Sequence, residues 1–143
     1  MRLIVAAASL PAGITFALDA AARKKRPGLQ AAYDATWLQA RDAPSPERLA
    51  ALEVAARALH ENTHGYLPGF ALGPLVQRLQ ETLEARRAEA LAALRQHPGL
   101  PARWDEALDA TRRVRALAAA LGQEKPVDEA RLRRDLEEAL RRG

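Results

Sequence analysis

Residues 60–64 read His-Glu-Asn-Thr-His and use two of the three histidines in the chain. On a helix, positions i and i+4 share a face, so His60 and His64 would project together. Two imidazoles so placed can hold a Zn²⁺ ion. The Glu between them, Glu61, can then act as general base toward a metal-bound water. No other stretch of the chain names a reaction. There is no Gly-rich phosphate loop, no serine on a strand-to-helix elbow and no pair of catalytic carboxylates.

The pattern resembles that of the zincin metallopeptidases over these five residues. The resemblance implies zinc as cofactor, His60 and His64 as its ligands, and Glu61 as the residue that activates water. The extended metzincin pattern needs Gly at position 67 and His at position 70. This chain has Leu67 and Phe70 there, so that branch does not apply. The thermolysin-like branch implies a third ligand from a Glu on a following helix. Glu84, twenty residues after His64, stands at that spacing, with Glu81 as a second option. A second resemblance is looser. Arg57 and His64 are separated by six residues, as in the HEPN ribonucleases, which are all-α domains of similar size. It implies an RNA-associated protein with Arg and His at a dimer interface. Here Ala58 takes the place of the polar residue that usually follows the Arg.

The elements that must position these residues are helical. Alanine and leucine dominate, while Val, Ile, Thr and aromatics are scarce, which favours helix over strand. A chain of 143 residues suffices for one domain with a real core. With no cysteine, disulfides, iron–sulfur clusters and thiolate chemistry are excluded. The lack of Cys, the single Met and the frequent Arg resemble thermophilic usage. Net charge is +4, from 22 basic and 18 acidic residues, mostly interleaved. A duplex-binding protein usually shows a stripe of one sign. Here the one like-charge run is Arg23-Lys24-Lys25-Arg26, a candidate anion-binding site for phosphates or an acidic partner.

Pro and Gly divide the chain. Residues 2–8 read as a short strand or a helical lead-in. A first helix is expected from Pro11 to Arg26, with Ile14, Leu18 and Ala21 on one face, and Pro27-Gly28 should stop it. The basic run then falls in its last turn, where cations complement the helix dipole. A second helix is expected over 29–41. Ser45 is a natural N-cap for a third, Pro46 to His64, with Gly65 at its end. A fourth runs from Pro74 to Gln96 and a fifth from Ala102 to Leu121. Between them His97 sits in a Pro-Gly turn, where a capping role suits it. Gly122 should end the fifth helix. A sixth, over 127–142, carries Leu132, Leu136 and Leu140 on one narrow stripe. Short connections make neighbouring helices antiparallel. The expected fold is an all-α, single-domain antiparallel bundle of five to six helices spanning 1–143, with 126–143 as a peripheral C-terminal helix.

Leu3 to Leu18 carries no charge, but Pro11 and Gly13 interrupt it and it is short for a membrane span. Met1-Arg2 with Ala20-Ala21-Ala22 would suit an exported precursor. The alternative is a segment buried in the core of a cytoplasmic protein, which is the expectation adopted. A membrane partner is not expected. The leading functional expectation is a small accessory or regulatory protein that acts through protein–protein contacts, with a protein partner or a second copy, and without its own chemistry or cofactor. Its candidate contacts are Tyr66 and Phe70, whose aromatics could anchor a partner, and the Leu132–Leu136–Leu140 stripe, suited to a groove. The zinc hydrolase centred on His60, Glu61, His64 and Glu84 is the alternative, and the RNA-associated protein the third.

Overall fold

The computed structural model describes residues 12–64 and 70–142, with side chains over 20–63 and 70–142. These residues form five helices: α1 (Ala12–Asp42), α2 (Pro46–His64), α3 (Leu72–Gln96), α4 (Pro101–Ala120) and α5 (Glu129–Arg142). There is no strand among the described residues. The candidate strand over 2–8, the start at Pro11, and Gly65 and Tyr66 lie outside them.

The two helices expected on either side of Pro27-Gly28 are one. α1 runs through both residues without a break. Pro27 has no N–H for the Arg23 carbonyl, a defect that ordinarily costs about 3 kcal/mol in a helix interior. Tertiary contacts brace that turn. Asn62 of α2 donates from Nδ2 to the Ala22 carbonyl at 3.0 Å. Its Oδ1 accepts from Arg26 Nε at 2.9 Å, and its backbone carbonyl accepts from Arg26 Nη2 at 3.5 Å. A Pro-Gly pair reads as a stop only where no neighbour holds the helix together.

The other helix ends follow their local chemistry. Ser45 Oγ accepts from the Arg48 amide at 3.1 Å, which caps α2. Asp128 Oδ1 accepts from the amides of Ala130 and Arg131 and caps α5. At the end of α4, Gly122 has φ +74°. Its amide bonds Ala119, and the Gln123 amide bonds Ala118, which is the Schellman arrangement. The His97 amide closes α3 on the Ala93 and Leu94 carbonyls.

α1 packs against α2, α3 against α4, and α5 against α4. Two apolar clusters result. One joins Ala40, Leu49 and Leu52 of the first pair to Leu79, Leu83 and Leu117 of the second. The other joins Leu94, Ala107 and Leu108 to Leu132 and Leu136 of α5. Pairing of Leu94 with Ala107 and Leu108, and of Leu83 with Leu117, makes α3 and α4 antiparallel. A fully buried leucine contributes about 1.5–3 kcal/mol, so six with almost no exposed surface (Leu52, Leu79, Leu83, Leu94, Leu117, Leu132) account for much of the hold.

Arginines fasten the outside. Arg112 grips Glu129 with Nε and Nη2 at 2.7 and 3.0 Å, and Arg115 reaches Asp135 at 2.9 Å. Arg113 bridges Asp109 of its own helix, at 2.8 Å, and Asp42 at the end of α1, at 3.5 Å.

Candidate functional site

The motif at 60–64 occupies the last turn of α2. Successive helical residues are turned by about 100°. Asn62 faces α1, so His60, two positions earlier, lies about 160° around the helix, on the side away from α1. Three residues before His60, Arg57 shares that side. Phe70, returning after the α2–α3 connection, sits against it. The His60 and Phe70 rings meet edge to face, with centroids 5.8 Å apart and planes at 63°. The Arg57 guanidinium lies over the Phe70 ring, 4.8 Å from its centroid. Glu53, one turn back, holds Arg57 at 3.0 Å. Phe70, His60 and Glu61 are half-buried and Arg57 is exposed. The His64 side chain and all of Tyr66 lie outside the described residues.

The structure does not bring Glu84 to this place. Phe70 touches His60, and α3 begins two residues later at Leu72. Glu84 is twelve residues further down that helix, about 18 Å along its axis, and Glu81 about 14 Å. Each has another partner: Glu84 pairs with Arg87 at 2.7 Å, and Glu81 accepts from Gln77 at 3.2 Å. Among the described residues no three His, Asp or Glu side chains converge in a way that could hold a metal.

The C-terminal stripe is used inside the chain. Leu132 and Leu136 are buried against Leu94, Ala107 and Leu108, and Leu140 packs beside them half-buried. The groove of about 650 Å³ between α4 and the start of α5 takes no sign of charge. Arg115, Lys125 and Arg131 on its walls are matched by Glu124, Asp128 and Asp135. Of the basic run, Arg26 is held by Asn62, while Arg23, Lys24 and Lys25 are exposed.

Two features were invisible in the sequence. Asn62, a variable position of the motif, hydrogen-bonds α2 to α1 at Ala22 and Arg26. On the α1–α3 side, Arg78 lies 4.7 Å over the Trp37 ring and bonds the Tyr33 hydroxyl. Only the i,i+4 spacing of Tyr33 and Trp37 hinted at a shared face. No known protein family, curated protein or solved structure matches the chain.

Proposed function

We propose that this protein is a small accessory or regulatory factor that works through contact with another protein, its helices acting together as one bundle and performing no chemistry of their own. The observation that supports this reading is the Phe70 cluster. An aromatic ring is contacted by a guanidinium lying over it and by an imidazole meeting it edge to face, where the chain returns from α2 to α3. Aromatic and arginine side chains, pre-positioned and partly open, are what binding surfaces use as anchors.

The proposed contact centres on Phe70 and Arg57, because the leucines of α5 serve the interior. Removing residues 126–143 would therefore uncover the second apolar cluster and attract proteins indiscriminately. Point substitution is the cleaner test. Wild-type protein, Phe70→Ala and Arg57→Ala are used as baits at equal loading in quantitative affinity purification, after circular dichroism has shown equal helix content. The expected result is a defined set of proteins retained by wild type and lost by at least about tenfold with Phe70→Ala, the loss of about 1.4 kcal/mol that an anchor residue typically exceeds. An identical set with all three baits would refute the reading.

A further inference from the structure

We propose that α5 and the end of α1 compete for a shared pair of arginines on α4, so that seating one loosens the other. The observation is a chain of alternating charge that crosses three helices. Glu129 of α5 holds Arg112 of α4. Arg112 reaches Asp109, one turn back, and Asp109 holds Arg113. Arg113 reaches Asp42 at the end of α1, where Arg41 closes the chain. Isolated ion pairs on a surface contribute little, but charges joined in a network act on one another.

The distances separate the firm links from the slack ones. Glu129 takes Arg112 Nε and Nη2, at 2.7 and 3.0 Å. Only Nη1 is left for Asp109, and it stands at 3.4 Å from Oδ1. The other oxygen of Asp109 serves Arg113 closely, at 2.8 Å. Arg113 in turn meets Asp42 only at 3.5 Å, long for a hydrogen bond. Its Nε is buried and has no hydrogen-bond partner among the described residues. Arg113 is thus incompletely used where it stands, with two carboxylates on different helices to choose between.

Withdrawing Glu129 changes that choice. Arg112 and Asp109 are three residues apart on one helix, so the released guanidinium can turn to this carboxylate without backbone movement. Asp109 then serves both arginines, and Arg113 gains by closing on Asp42. Glu129 and Asp42 are also like charges, so the loss of one favours the other directly, with the same sign. Release of α5 therefore tightens α1 on α4. By reciprocity, withdrawing Asp42 seats α5 more firmly. The second ion pair of α5, Arg115 with Asp135 at 2.9 Å, is not joined to this chain among the described residues.

The test is a double-mutant cycle on the full chain. Melting temperature is followed by circular dichroism at low salt for wild type, Asp42→Asn, Glu129→Gln and the double variant. Asp42→Asn should cost about 2 °C or more beyond its effect in wild type when placed in the Glu129→Gln background, the shift expected of a modest coupling in a chain of this length. At about 1 M salt the Debye length falls to ~3 Å and the excess should vanish. Asp135→Asn loosens α5 without touching the chain of charges, so its effect should simply add to that of Asp42→Asn. An equal or smaller cost of Asp42→Asn in the Glu129→Gln background would overturn the proposal. An excess as large with Asp135→Asn would also overturn it, as would one that survives high salt, which would assign the coupling to packing.

Discussion

Two glycines with equal room around them should respond oppositely to the same substitution. A Cβ added at Gly28 or at Gly122 would meet nothing within 4 Å. Packing is therefore silent, and only the backbone decides. Gly28 lies inside α1, where Ala is favoured over Gly by about 0.5–1 kcal/mol, because the unfolded chain loses freedom that the helix never used. Gly122 has φ +74° at the end of α4, where a side chain costs about 1–2 kcal/mol. For a chain of this length, 1 kcal/mol moves the melting temperature by about 3–5 °C. Gly28→Ala should thus melt about 3 °C higher than wild type and Gly122→Ala about 5 °C lower. Thermal unfolding followed by circular dichroism reads both. A fall in melting temperature for Gly28→Ala would refute the reasoning. It would mean that Gly28 occupies a left-handed helix end, as Pro27-Gly28 suggests on its face, and that α1 is two helices.

Two further perturbations probe the fastenings. Asn62→Ala removes the amide that serves Ala22 and Arg26, and should destabilise by about 1–3 kcal/mol. Its signature is faster amide hydrogen exchange around residues 20–30, and unchanged exchange there would disprove the brace. The Arg112 hydrogen bond, and then its charge, hold the Glu129 carboxyl below the usual carboxylate range. A lowered pKa favours the charged form in the folded state. The pair's contribution is therefore complete above the usual Glu range and disappears as pH falls through the lowered value. Wild type and Glu129→Gln should differ in melting temperature at neutral pH and converge in acid. A constant difference across that window would place the effect elsewhere.

What the sequence disclosed was what neighbours along the chain decide. Ser45 caps α2 and Gly122 ends α4 because each acts on amides or carbonyls within one turn of itself. The turn at His97-Pro98-Gly99 is legible for the same reason. Pro27-Gly28 misleads because its cost is offset by Asn62, thirty-five residues away in sequence. The leucine stripe of α5 was correctly read as apolar, yet periodicity does not say which surface receives it. That surface is the chain's own α3 and α4, through Leu94, Ala107 and Leu108. Likewise the spacing of His60 and His64 was plain and the start of α3 was expected within two residues, but that Phe70, just before it, lies against His60 and leaves Glu84 about 18 Å further along was not.

Asn62 also bears on how such a chain should be searched for by pattern. In H-E-x-x-H the third letter is a wildcard, and a scan lets it drift. Here the wildcard is the position that joins two helices through three hydrogen bonds. His60, by contrast, meets the edge of the Phe70 ring within its own connection. In a saturation library selected for folding alone, the unnamed letter should persist. A pattern anchored on Asn62, with Ala22, Arg26 and Pro27 forty to thirty-five positions before it, would then mark this helix pair.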